Sequence, residues 1–237
     1  MSTLKTSLSS LTTMSRSNRC AVIPAYNEST RIEPVIKGLL SFGIPVLVVD
    51  DGSDDNTSLV AETAGAYVFR FDKNRGKGAA LVFGLSYAKR QGYTFAVILD
   101  ADGQHLPTDV LRLLAVVEEK DADLVIGNRM DNLQGMPFIR RITNRLMSAV
   151  LRILTGAKIP DTQCGLKVLR LSSFNLSEFR SRRFDWESEL VIKATRKRLR
   201  IVSESIRCVY NTTPSSRIRV LPDTLRFIWL ILRNILY

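Results

Sequence analysis

Histidine is almost missing from this chain: His105 is the single one in 237 residues. That excludes a metal centre built on several imidazoles, and any nucleophile–histidine pair that does not use this residue. Cysteine is nearly as scarce. Cys20, Cys164 and Cys208 cannot make a disulfide framework, and they fit a reducing compartment. Cys164 and Cys208 read as small buried hydrophobes rather than nucleophiles. No apolar run reaches the roughly 18 residues that a bilayer-spanning helix needs. Residues 1–19 hold Lys5, Arg16 and Arg19 and no acid. They also lack the apolar stretch of a secretory signal, so a disordered tail is expected there rather than a transit peptide.

Acidic residues run short in one half only. Residues 1–128 carry 13 basic and 15 acidic side chains, whereas residues 129–237 carry 21 basic and 8 acidic. The first half is near neutral with its acids at particular spots. The second half is built to meet something anionic: nucleic acid, phosphate groups or an anionic membrane surface. Hydrophobic residues at 45% and charged residues at 24% are globular values, which excludes a disordered chain.

What is present is a regular alternation. Apolar, β-branched runs at 20–24, 45–50, 66–71, 94–100 and 124–127 read as strands, and helical patterns fall at 32–40, from 54–57 to about 65, from 78 to about 91, and at 107–120. The strands are apolar on both faces. The fold class expected is therefore α/β, with a mostly parallel sheet covered by helices on both sides. After Arg129 the alternation breaks. A helix is expected at 139–154, a strand at 166–169, a helix at 186–198 and a strand at 200–210. A last helix at 222–236 opens on Pro222 and Asp223, residues that suit a helix N-terminus. No repeat and no linker appears, so one domain with a basic C-terminal part is expected.

Ligands of such sheets bind beyond the carboxyl ends of the strands, where Asp50, Asp51, Asp100 and Asp102 fall. Asp100-Ala101-Asp102 ends a strand, and Gly103 permits a break that lets the carboxylates converge. With Gln104 they are hard oxygen ligands suited to Mg2+ or Mn2+ on a diphosphate. A solvated turn is the competing reading. Asp50-Asp51-Gly52-Ser53 reads either as a turn with a helix cap or as acceptors for a base or ribose. Asn74-Arg75-Gly76-Lys77-Gly78 brings backbone amides and Lys77 toward phosphates, but it lacks the spacing of a P-loop or a dinucleotide fingerprint.

In order along the chain stand Pro24-Ala25-Tyr26-Asn27-Glu28, Val48-Val49-Asp50-Asp51-Gly52-Ser53, Asn74-Arg75-Gly76-Lys77-Gly78 and Asp100-Ala101-Asp102-Gly103-Gln104-His105. Together they resemble the family 2 inverting glycosyltransferases of GT-A fold. Gly127-Asn128-Arg129, Arg140-Arg141-Ile142-Thr143-Asn144-Arg145 and Asp161-Thr162-Gln163-Cys164-Gly165-Leu166-Lys167 look like the polyprenol/dolichyl-phosphate sugar transferase branch. The Asp-Thr-Gln-Cys-Gly stretch is more like the glucosyltransferases than the mannosyltransferases. The resemblance places a GT-A domain at 20–221 and implies a role for each matching residue. Pro24, Tyr26, Asn27, Glu28 and Asp51 would hold the base and ribose, joined on the donor by Lys77, Asp100 and Ala101. Asp100, Asp102 and Gln104 would hold Mg2+ or Mn2+. Arg129, Arg141 and Arg145 would face the lipid phosphate. Asp161 stands where a catalytic or sugar-binding acid is expected, and Arg217 in a basic loop that closes over the diphosphate. Glu187 and Glu189 point about 200° apart on a helix, so at most one faces the site.

The activity implied is inverting transfer of a hexose from UDP-glucose or GDP-mannose to a polyprenyl or dolichyl phosphate. Another acceptor, such as a cell-surface glycan or glycolipid, is the alternative. Metal and arginine would stabilise the leaving diphosphate. A lipid phosphate is already anionic and needs no general base, so its positioning by arginine matters more. A processive synthase would carry Gln-x-x-Arg-Trp and its own spans. A sugar-nucleotide pyrophosphorylase would carry a Gly-rich first loop where this chain has residues 24–28. A nucleic-acid-binding domain would interleave aromatics with its basic residues, and none is expected as a partner. Residues 222–237 are expected to lie as an amphipathic helix in the membrane interface, with or without a separate membrane-protein subunit. The sequon at Asn27 lies inside the nucleotide-binding motif, so the catalytic domain is expected to face the cytosol.

Overall fold

The computed structural model describes residues 18–183 and 185–210. Arg217, the tail at 1–17 and the helix expected at 222–237 lie outside the described residues.

The chain opens with β1 (Arg19–Ala25), α1 (Ile32–Ser41), β2 (Val46–Asp50), α2 (Thr57–Thr63), β3 (Tyr67–Arg70), α3 (Lys77–Arg90), β4 (Phe95–Ile98), α4 (Pro107–Glu119) and β5 (Leu124–Asn128). It continues through α5 (Phe138–Thr155), β6 (Lys167–Arg170), α6 (Trp186–Arg196) and β7 (Ile201–Ser205). The seven strands form one sheet in the order β3-β2-β1-β4-β6-β5-β7. β1, β2 and β4 are buried almost throughout, which is why they read as continuous apolar runs rather than as alternations. The helices fall into two packed groups, with α1 against α2 and α4, and α6 against α3 and α5. α3 presses closely on the sheet: a Cβ added at Gly84 would lie 2.6 Å from Val22 Cγ1.

Two features depart from a simple alternating sheet. β6 is inserted between β4 and β5 and runs antiparallel to both, while β1–β2, β1–β4, β2–β3 and β5–β7 are parallel. The strand expected over 200–210 stops at Ser205. Cys208 then makes an isolated bridge to His105. Because β6 is reversed, it begins at the rim where β1, β2, β4 and β5 end. One edge of the sheet therefore gathers the loops after Ala25, Asp50, Ile98 and Asn128 together with the stretch that enters β6.

Candidate active site

Three loops at the rim, those after β1 and β2 and the one before α3, are tied into one unit. Asn27 adopts φ +52°, and its N–H donates to Ser53 Oγ at 2.9 Å while its Oδ1 accepts from the Asp54 N–H at 2.8 Å. The Glu28 N–H donates to Thr57 Oγ1 at 2.8 Å, and the Tyr26 hydroxyl reaches Asp54 Oδ2 at 3.4 Å. Glu28 also pairs with Arg31 at 2.6 Å. Pro24 is buried in β1 opposite Val49, at the base of the loop that carries Tyr26, Asn27 and Glu28. Asp50 turns inward and accepts from the Ser53 N–H and Oγ and from the Ser58 hydroxyl. Asp51 accepts from the Arg75 and Gly76 N–H groups at 2.6 and 2.8 Å. Burial raises its carboxyl, and those two amides work against that rise.

The amides of Arg75 and Gly76 are spent on Asp51, and the Ala79 N–H goes to Gly76 O and Arg182 O. Two amides of the turn at 74–78 are thus held by Asp51, which ties this turn to the end of β2. Its Lys77 Nζ instead lies 2.7 Å from both Asp100 Oδ1 and Glu187 Oε1. Burial alone would lower the Lys77 ammonium, but the two carboxylates outweigh it and raise it.

Asp100 and Asp102 differ sharply in environment. Burial would raise Asp100, yet the charge of Lys77 wins and brings it down to about 2. Asp102 is raised, first by burial and then by the charge of Asp100. Its Oδ1 accepts from the Gln104 N–H at 3.1 Å. Gln104 Oε1 accepts from Arg140 Nη1 at 3.3 Å, and Ala101 between the acids is buried. Two crowded carboxylates whose mutual repulsion a divalent cation would relieve fit Mg2+ or Mn2+ chemically. No group of three or more His, Cys, Asp or Glu suited to a metal occurs among the described residues. A cation here would therefore complete its shell with other oxygens, such as those of a diphosphate.

In the stretch that leads into β6, Asp161 is 0% exposed. Arg129 grips it with Nε at 2.7 Å, Nη2 at 2.9 Å and its N–H at 3.1 Å, and Asn144 Nδ2 adds a fourth donor at 2.6 Å. Burial would raise this carboxyl, but Arg129 and Asn144 hold it below the ordinary carboxylate value. A carboxylate so satisfied is a poor proton acceptor, and in this arrangement it positions Arg129. Arg129, expected to face a phosphate, is only 12% exposed in its side chain and spends two donors on Asp161. Arg141 is half-buried, and its Nε has no hydrogen-bond partner among the described residues. Arg145 is exposed. His105 is buried and lies 3.5 Å from Cys208 Sγ; burial lowers it to about 4.

Several contributors were not assigned roles from sequence. Glu187 is the second partner of Lys77, while Glu189, pointing the other way, receives the Ser181 N–H at 2.7 Å. Gly165 lies so close to Asp100 that an added Cβ would stand 2.1 Å from its Oδ2. Asn144 is named by its motif but carries no signal that it binds Asp161. Lys167 is buried, donates to Cys164 O and is lowered by that burial.

A mostly parallel sheet with this order, helices on both faces and acids at the strand ends has the GT-A architecture. The family model described as "Glycosyl transferase family 2" matches residues 20–190, and the chain belongs to that family. It is 31% identical over 200 residues to the polyprenol monophosphomannose synthase of Mycolicibacterium smegmatis, covering 78% of this chain and 75% of that protein. It is 32% identical over 199 residues to the undecaprenyl-phosphate mannosyltransferase of Micrococcus luteus, covering 78% and 81%. A UDP-N-acetylglucosamine–dolichyl-phosphate N-acetylglucosaminyltransferase of Methanococcus voltae matches at 28% over 83% of this chain and 87% of its own. Among solved structures, glucosyl-3-phosphoglycerate synthase from Mycobacterium tuberculosis in complex with Mn2+ and UDP-glucose shares the fold. Its TM-score is 0.67 at 22% identity, covering 90% of this chain and 77% of that one.

Proposed function

We propose that this protein transfers a hexose from a nucleotide sugar, UDP-glucose or GDP-mannose, to a polyprenyl or dolichyl phosphate with inversion at the anomeric carbon. The observation that carries this reading is that relatives spanning most of the chain are named for transfer to a lipid phosphate. Tyr26, Asn27, Glu28 and Asp51 frame the base and ribose, with Pro24 buried behind them. Asp100, Asp102 and Gln104 would hold Mg2+ or Mn2+. When bound, that cation neutralises charge developing on the leaving diphosphate. Lys77 holds Asp100 in place, and Arg217 contributes positive charge to the same leaving group. Arg141 and Arg145 receive the acceptor phosphate beside Arg129, which Asp161 fixes. The acceptor oxygen arrives anionic, so proximity and orientation are what these residues supply. Catalysis takes place at the cytosolic face of a membrane, with or without a membrane-protein subunit.

The test is to incubate the full chain and Mn2+ with a panel of UDP- and GDP-sugars plus polyprenyl phosphate, and to identify the lipid product by mass. One sugar should appear on the lipid phosphate, and Asp102→Asn should abolish it while the fold survives. Transfer only to glycan acceptors, or undiminished product from the Asp102 variant, would overturn the reading or its metal assignment respectively.

A further inference from the structure

The outward face of α5 is built the wrong way round for water. Ile139, Ile142, Leu146 and Ile153 are 66%, 45%, 63% and 84% exposed. At about 100° per residue they fall within an arc of about 60°. Asn144, Ser148 and Leu151, the buried residues of the helix, occupy an arc about 180° away by the same count. A surface helix normally turns its polar side outward. Here the stripe farthest from the core is apolar, with Phe138 a further 73% exposed at its start. Arg141, Arg145 and Arg152 share one flank of that stripe, within about 40°. The helix carries no Asp or Glu at all.

We infer that α5 is the surface by which the protein lies on an anionic lipid bilayer, its isoleucine–leucine stripe sunk into the headgroup boundary and its arginine flank against lipid phosphates. No described helix is long and apolar enough to cross a membrane, so this contact is in-plane. A second copy is a poor occupant, because two such helices face to face would bring six flanking arginines together with no acid on either helix. The chain's own residues 211–237 are a poor occupant for the same reason, having four arginines and one acid. Lipid phosphate supplies the missing negative charge. α5 is also continuous with the site: Asn144 on its inner face holds Asp161, and Arg140 reaches Gln104. Docking by α5 therefore sets the rim of the sheet at the membrane surface. The purpose of this contact rests on the lipid-acceptor reading; its test does not.

The experiment is flotation of the full chain with vesicles of phosphatidylcholine, alone or with about 30% phosphatidylglycerol, without donor or polyprenyl phosphate. The wild type should float with the anionic vesicles. Ile142→Glu/Leu146→Glu should weaken that binding by about 30-fold or more, with an unchanged melting temperature because both side chains face outward. A nitroxide on Ile142→Cys should become shielded from a water-soluble relaxation agent when vesicles are added. Failure of the wild type to bind, equal binding by the double variant, or an unshielded label would each overturn the inference. So would a self-associated wild type that the double variant dissociates without a change in vesicle binding. Vesicle binding without any lipid product would sink the proposed function and leave this inference standing. Lost vesicle binding with transfer to a short, water-soluble polyprenyl phosphate intact in both forms would confirm the two independently.

Discussion

At the scale of single residues, the Arg129–Asp161 pair carries the largest electrostatic stake. Both side chains are largely out of water, so each is tolerated only because the other is present. Asp161→Asn leaves the guanidinium half-paired in the interior and is expected to cost about 3–5 kcal/mol in urea unfolding. Arg129→Met combined with Asp161→Leu should cost less than the sum of the single changes. A cost near zero for Asp161→Asn would mean the pair is solvated. The sequence named both residues because each sits in a recognisable motif. It gave them separate tasks, on acceptor and sugar, because nothing in linear spacing tells that residues 129 and 161 touch. Glu187 was named beside Glu189 but without a partner for a similar reason: Lys77, which it meets, lies in a turn that read as a phosphate cradle.

At the scale of elements, nearly every strand and helix was legible, with ends displaced by one or a few residues. β1, β2 and β4 announce themselves by β-branched runs that stop at the rim. The position of β6 was not legible. Four residues with no periodicity say nothing of whether they extend an edge or enter the middle, or in which direction they run. Yet that reversed insertion shapes the site, since it carries Gly165 past the end of β4 and against Asp100. Gly165→Ala should push the Asp100 carboxylate off Lys77. A displacement near 1 Å at a site of this kind costs about 100-fold in turnover, and the steady-state transfer rate should fall by that order, with a lowered melting temperature because the Asp100–Lys77 pair is loosened. A full rate in the alanine variant would show that Asp100 has room to yield.

At the scale of the whole molecule, acid stability should reveal the buried imidazole. His105 is 7% exposed and protonates at about 4 in the folded chain against 6.5 when free. Between those values the unfolded chain takes up a proton that the folded chain refuses, so stability falls as pH falls, by up to about 3 kcal/mol. Below 3.8 Asp100, titrating at about 2, adds a further loss of the same sign. Urea midpoints measured from pH 7 to pH 3 should slope downward, and His105→Gln should flatten the stretch between pH 6.5 and 4 while sparing the more acidic limb. An unchanged slope would place the ring in contact with water.

The parallel strands also decide how the molecule can be held. Their starting ends all lie away from the rim, and Gln91, exposed in the turn that leads into β4, belongs to that remote side. Cys20 and Cys164 are buried and Cys208 is half-buried, so a thiol introduced as Gln91→Cys would be the accessible one for a tether or dye. Molecules anchored there would stand on a sensor chip in a single orientation, with the rim of strand-end acids turned toward the flowing solution.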